Sequence, residues 1–431
     1  GMSARTRPDL TVDDLRGFKQ LRRVAGLLGA LHGAGCDRDK AGNRELHFDD
    51  YVLLVLLYLF NPLIDSMRTL QRVAALPAVR ERLGVKPFSL GSFSESCRVF
   101  DPSMLQQVVD QLAADGGLRP VGRHELLADL PGRLTLVDAT VIDTLCTVAE
   151  ATFLPLGDGG RHSHAWRLHL HLDVDHHVPS RWAVTPPRNT GPSDEKSVLR
   201  RNLASGHTYV MDRWYAQFTL FNDVRAAGSN YVCRVRDNSR YDVIEDRPLD
   251  GRATEAGVIS DQVVEIGLSK KPHERADHPT RLICVACTPH RKRGKGPKRG
   301  GGGGQTGPTS DGTLRIATDL LGVPAHVVAF LYQYRWTVEI FFRFLKQTLG
   351  CRHLLSARRE GVGIQVYAAV ICCLMLNALT GTKPTKWTVT LMALYLQGLA
   401  ADEDVLRELN RPDNTGVKLR AKDELWKKLG L

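Results

Sequence analysis

The stretch Arg133-Leu134-Thr135-Leu136-Val137-Asp138-Ala139-Thr140 marks the point where the pattern of this chain changes. Leu134 to Val137 is a short apolar run that predicts a strand, and it delivers an acidic residue, Asp138, at its end. Before it, from Leu10 to about Gly117, apolar residues recur at three- and four-residue spacing with few strand signals, which predicts helices. Asp49 and Asp50 stand ahead of an apolar helix from Tyr51, and Asp101-Pro102 is a helix-start signal for Met104 to Ala114. Short helices rich in Ser and Arg suit a helix-turn-helix-like DNA contact, and they suit a helical dimerisation or scaffold module equally.

After Asp138 the period-two pattern takes over. Trp166 to Val174 alternates Leu168, Leu170, Leu172 and Val174 with His169, His171 and Asp173, and Val178 to Val184 can return as its partner. Ser193 to Leu203 reads as a helix, His207 to Met211 as a strand, Gln217 to Ala227 as a helix and Tyr231 to Val235 as a strand. The succession β-β-β-α-β-α-β, with acidic residues at strand ends, is the plan of an RNase H-like core. Residues from Asp237 to about Gly312 are different: strand-like pieces at Val258 to Ile266 and Arg281 to Cys287, then a basic, glycine-rich tract from Arg291 to Gly304. Order returns with a strand at Leu314 to Asp319. Helices follow from Pro324-Ala325 through Leu379, with one break near Gly350 to Ser356. The expected architecture is α/β, an RNase H-like catalytic core with a mainly β insertion, an N-terminal helical domain and C-terminal helices. The boundaries expected are 1–125 for the helical, DNA-binding domain, 126–236 and 313–382 for the two parts of the core, 237–312 for the insertion and 383–431 for the tail.

Composition narrows the partners. With 431 residues, 43% hydrophobic and 24% charged, the chain has the make-up of a multi-module globular protein. Its formal net charge of +11 suits a polyanion, because basic surfaces release condensed counterions from phosphates. Arg291, Lys292 and Arg293 head a tract that fits a nucleic-acid backbone or a solvated loop. Nine scattered cysteines and no signal-peptide pattern predict a reducing cytoplasm. The apolar runs Tyr51 to Phe60 and Val366 to Leu376 fall short of the roughly 20 residues a membrane span needs. Cys284 and Cys287 have metal-ligand spacing without a second pair, so two strand cysteines are expected.

Three carboxylates stand where phosphodiester chemistry needs them. Strand cleavage and transfer use two hard divalent cations roughly 3.5–4 Å apart, held by carboxylate oxygens on rigid elements. Asp138 and Asp212 at strand ends and Glu339 on a later helix supply such a set. The gap from Asp212 to Glu339 exceeds what a bare core requires, and the segment Asp237 to Gly312 accounts for the excess. At about 100° per residue, Tyr332, Arg335, Glu339, Arg343 and Lys346 fall within a stripe about 80° wide. Taken alone, that stripe reads more readily as a salt-bridged surface face, since Arg335 and Glu339 are an i,i+4 pair.

Tyr332, Arg335, Glu339 and Lys346 have the Y-x2-R-x3-E-x6-K spacing of the IS4 family of bacterial insertion-sequence transposases, and the chain resembles that family from about Leu134 to Leu379. Asp138-Ala139-Thr140 and Asp212-Arg213-Trp214-Tyr215 resemble its companion motifs, in the right order. The resemblance implies a DDE catalytic domain in which Asp138, Asp212 and Glu339 hold two Mg2+ ions, with Mn2+ as a substitute. It implies that Tyr332, Arg335 and Lys346 bind terminal phosphates, and Arg343, Arg213, Arg291, Lys292 and Arg293 are further expected DNA contacts. The expected partners are double-stranded DNA, as terminal inverted repeats and as target, and a second copy of the chain on paired ends. The activity implied is cut-and-paste transposition, with a hairpin intermediate in well-described members. Family members with a hairpin step stack a flipped base on a tryptophan of the insertion, yet no Trp occurs here between Trp214 and Trp336. Tyr241 is the candidate substitute, and Trp214 stands where a glycine is common. Two alternatives stay open: a nuclease that cuts without joining, and a non-catalytic DNA-binding protein derived from a transposase. His162, His164, His169, His171, His176 and His177 form a cluster expected to be an exposed strand face rather than a metal site.

Overall fold

The computed structural model describes residues 19–61, 63–114, 118–143, 165–267, 274–287, 312–348, 355–356, 358–381, 385–396 and 399–410. His162, His164, Arg291, Lys292, Arg293 and the basic end of the tail lie outside them. The chain forms two compact units. Of the described residues, one holds those up to Gly122, Asp138–Val198 and those from Val338 to Asn410; the other holds Arg123–Val137 and Leu199–Thr337.

Among its described residues the first unit begins with six α-helices: α1 (Lys19–Gly29), α2 (Phe48–Phe60), α3 (Met67–Ala74), α4 (Pro77–Leu83), α5 (Leu90–Val99) and α6 (Leu105–Ala114). Their starts are written in the sequence. Asp49 and Asp50 sit in the first turn of α2, where carboxylates meet the positive end of the helix dipole. Ser66 and Ser89 cap α3 and α5 by accepting the backbone N–H of Thr69 and Ser92. Later in the chain come α11 (Trp336–Thr348), α12 (Arg359–Thr380), α13 (Lys386–Leu396) and α14 (Asp402–Leu409). Helix α12 is buried along nearly its whole length and packs against α2, α6 and β3 (Val178–Thr185). Gly361 lets α12 approach α5 closely, since a Cβ there would come within 2.8 Å of the Cys97 sulfur. At 22 residues α12 is longer than the apolar run alone suggested. By length and composition it could cross a bilayer, but 83% of its apolar window is buried inside the protein, as in a core helix.

The expected β-β-β-α-β-α-β succession is observed: β1 (Arg133–Asp143), β2 (Ala165–Asp173), β3, α7 (Glu195–Arg201), β4 (His207–Met211), α8 (Phe218–Ala226) and β5 (Asn230–Arg234). The insertion adds β6 (Tyr241–Asp246), the short helix α9 (Gly251–Glu255), β7 (Val258–Ile266) and β8 (Thr280–Ala286), followed by β9 (Thr313–Thr318) and α10 (Ala325–Tyr334). The nine strands form one mixed sheet in the order β3-β2-β1-β4-β5-β9-β8-β7-β6. β1, β4 and β5 are parallel; β5, β9, β8, β7 and β6 alternate in direction. In the second unit Tyr209, Met211, Tyr215, Phe221, Tyr231, Cys233, Leu282 and Ala317 share one core, with Phe221 stacked on Tyr231 at 4.2 Å. Each large side chain buried there contributes roughly 1.5–3 kcal/mol of transfer free energy.

Three expectations need correction. Asp138 does not end its strand: β1 runs on through Thr140 to Asp143, and only its parallel pairing with β4 stops at Val137. The histidines of β2 are not an exposed face, because His169 and His171 are 3% and 4% exposed beside equally buried leucines. The strand is covered on both sides, and its polar groups are bonded inside, as His169 Nε2 is to Thr185 Oγ1 at 2.8 Å. The helix carrying the Tyr-Arg-Glu-Lys signature is not continuous either. α10 ends at Tyr334 and α11 starts at Trp336, so the single stripe of five residues is split at Arg335.

Candidate active site

In the second unit, Val137 pairs with Met211 in parallel register, and Met211 pairs with Cys233. The next residue of each strand's chain is then Asp138, Asp212 and Arg234. The carboxyl ends of parallel strands are where open α/β sheets bind ligands; Asp212 and Arg234 stand at such ends, whereas β1 runs on past Asp138 once its pairing with β4 has stopped. Asp212 is half-buried and fixed: its Oδ1 accepts the Trp214 N–H at 2.8 Å, capping the turn Arg213–Tyr215, and its carbonyl accepts from Cys233 Sγ at 3.3 Å.

Tyr332 and Arg335 belong to the same unit as Asp212. Tyr332 is 8% exposed, and the Arg335 guanidinium carbon lies 5.9 Å from its ring centroid. Burial pushes the phenol up to about 12, against the opposing pull of Arg335 and Arg234, with the negative Asp212 near enough to add to the rise. The hydroxyl thus stays protonated at any physiological pH and is a hydrogen-bond donor. Two arginines of the insertion hold the turn ahead of α10. Buried Arg281 pairs with Asp261 (Nη2 to Oδ2 2.6 Å) and donates to the carbonyls of Leu320 and Val323, while Arg247 donates to that of Leu321. A buried ion pair adds little stability of its own, but it fixes one geometry, here the entry into the Tyr332 helix.

Asp138, Glu339 and Lys346 belong to the first unit. Asp138 is half-buried, its Oδ1 accepting the Ala139 N–H at 2.8 Å; Glu339 is half-buried in the first turn of α11. Lys346 donates to Thr140 Oγ1 at 2.7 Å and to the Val141 carbonyl at 2.6 Å. The lysine of one motif is therefore bonded to the threonine of another, which ties the Glu339 helix to the Asp138 strand. Arg343 and Arg213 are exposed.

The donor chemistry fits a hard divalent ion: three carboxylates, partly open to solvent, without sulfur or imidazole. Among the described residues no group of three or more His, Cys, Asp or Glu side chains is gathered to hold an ion. Cys284 is a buried residue of β8, with Cys287 just beyond its end. Tyr241 is half-buried and packs against the core that contains Tyr231 and Val264. Arg234 was missed by sequence reasoning. It is half-buried at the end of β5, and its buried Nε has no hydrogen-bond partner among the described residues. An arginine closing the strand that follows Asp212's strand was the signal available.

Residues 129–376, more than half of the chain, match the transposase DDE domain family. A protein of Sinorhizobium fredii described as the transposase y4zB is 24% identical over 284 residues, 64% of this chain and 72% of its own length. The transposase of insertion sequence element IS4SA from Synechocystis is 29% identical over 85 residues, 20% of this chain and 25% of that protein. That of element IS5377 from Geobacillus stearothermophilus is 35% identical over 78 residues, 18% of this chain and 21% of that one. Among solved structures, piggyBac transposase in a synaptic complex with hairpin DNA aligns over 93% of this chain and 80% of its own, at 10% identity and a TM-score of 0.41. On the match over residues 129–376, the chain belongs to the DDE-domain transposases, enzymes of DNA strand cleavage and transesterification.

Proposed function

We propose that the chain is an IS4-type cut-and-paste transposase whose RNase H-like core holds two Mg2+ ions, with Mn2+ as a substitute, on Asp138, Asp212 and Glu339. The observation that carries this reading is the parallel register Val137 with Met211, which makes two of the carboxylates the next residues of neighbouring strands. When bound, the ions activate the attacking hydroxyl or water and stabilise the leaving oxygen. The chain's own residues orient the DNA. Tyr332 donates its permanently protonated hydroxyl to a terminal phosphate, while Arg335, Arg234 and Lys346 supply positive charge beside it. Arg213, Arg343 and the tract at Arg291, Lys292 and Arg293 contact backbone phosphates farther out.

In this reading the helices before Gly117 bind the terminal inverted repeats, two copies act on paired ends, and the protein works at the nucleoid. The boundaries 1–125, 126–236, 237–312, 313–382 and 383–431 remain the proposed functional modules. The hairpin step is proposed through a stacking residue other than Tyr241. A strand-transfer assay with a pre-cut end carrying a free 3′-OH tests the joining half. Covalently joined product is expected; cleavage of intact ends without any joining would mean a nuclease.

A further inference from the structure

We infer that Arg281 and Asp261, a buried pair in the insertion, are positioning residues for DNA-end cleavage, because they set where α10 begins and so where Tyr332 sits; this rests on the phosphate-binding role proposed above for Tyr332. Asp261 lies on β7 opposite Ile283, and Arg281 on β8 opposite Val263, which puts both on one face of the sheet. The other face sends Val264, Ile266 and Leu282 into the core with Phe221. Helix α10 packs against β7 and β8. Arg281 and Asp261 are 2% and 5% exposed. Arg281 donates from Nε and Nη2 to the two Asp261 oxygens at 2.8 and 2.6 Å, a fork that fixes the guanidinium plane. The remaining nitrogen, Nη1, donates to the carbonyl of Leu320 at 3.0 Å and to that of Val323. Arg247 adds a further grip, its backbone N–H on the Asp261 carbonyl at 2.9 Å and its Nη1 on the Leu321 carbonyl at 2.5 Å.

Stability is a poor reason for such a pair. Desolvation offsets most of the attraction between two buried charges, and a cation ahead of a helix start opposes the helix dipole. Geometry is the better reason. The gripped turn runs straight into Pro324, the N-cap of α10, and no side chain caps that helix among the described residues. The start of α10 is therefore set by the carbonyls held in the turn before it, not by a cap of its own. Tyr332 lies about two turns along that helix, so a shift at Pro324 is carried to its hydroxyl. A misplacement of about 1 Å in a group that orients substrate costs up to a hundredfold in rate. The insertion thus acts in the reaction through backbone carbonyls, without a side chain of the pair touching DNA.

The test uses the full chain and a duplex carrying the element's terminal sequence. Asp261→Leu combined with Arg281→Met replaces the pair by apolar side chains, a change that is often neutral for stability. Single-turnover cleavage in Mg2+ should fall roughly tenfold, while anisotropy in EDTA shows DNA affinity within about twofold of wild type. Adding Tyr332→Phe should cost little more, since residues that act as one unit are not additive. Amide exchange without DNA should quicken across Ala325–Tyr334 and stay slow in β5. Arg281→Lys keeps the charge pair but loses the planar fork, and it should give the same losses if the apolar pair does not fold. Cleavage at the wild-type rate by either folded variant, or a loss that multiplies with that of Tyr332→Phe, overturns the inference. Unchanged exchange across α10 also overturns it, whatever Tyr332→Phe does, whereas wild-type cleavage by Tyr332→Phe sinks only the phosphate role.

Discussion

Tyr332 and Lys346 are the two ends of one sequence signature, and their surroundings differ in kind. Tyr332 is buried in the second unit beside Arg335, with Asp212 and Arg234 in electrostatic range. Lys346 is half-buried in the first unit, with its ammonium bonded to Thr140 and Val141 on the strand of Asp138. A signature read as one helical stripe therefore divides between two helices, with Tyr332 in α10 and Lys346 in α11. The lesson is that spacing groups residues into a motif but does not show which elements each of them braces.

Breaking the Lys346 end should have the larger effect. Lys346→Ala removes the charge proposed to bind phosphate and both bonds to β1, so DNA-end cleavage should fall on the order of a hundredfold or more, as for loss of a preorganised charged donor. Lys346→Met should behave like alanine, and Thr140→Val should lower stability by about 1 kcal/mol through the lost hydrogen bond. Single-turnover cleavage and thermal unfolding read the two effects. Cleavage by Lys346→Ala at the wild-type rate would show that the signature lysine is dispensable.

The Tyr332 end should respond less. Tyr332→Phe keeps the buried ring and loses one donor, so cleavage should drop roughly tenfold with little change in fold. Its pH behaviour has a definite sign. The folded phenol sits at about 12 against 10.0 for the ordinary value, so burial favours the protonated form. The contribution to stability is complete below pH 10 and is lost as pH rises towards 12. Wild type and Tyr332→Phe should then share one pH–rate profile up to pH 9. An alkaline limb near pH 9 present only in wild type would contradict the assignment.

The same contrast explains what could be seen in the sequence. β4 and β7 start and stop where expected, because Gly206 at φ 73° and Gly257 at φ 80° punctuate the chain just before them. The helix starts are marked by Ser66, Ser89 and the acidic turn of α2. Local signals could not show that β2 is covered on both faces, so polar alternation at His169 and His171 was read as exposure. Nor could they show the end of parallel pairing at Val137, which made β1 look shorter than it is. β6 was missed since Tyr241–Asp246 is exposed after its first residue and buries no apolar face. Arg234 became visible only through the pairing of β5 with β4, a long-range fact.

The most direct measurement is magnesium-dependent cleavage of a duplex carrying the element's terminal sequence by Glu339→Ala, with binding of the same duplex recorded in parallel. The account predicts no cut product and binding close to wild type, and the same outcome for Asp138→Ala and Asp212→Ala. Full cleavage by the Glu339→Ala protein would contradict it.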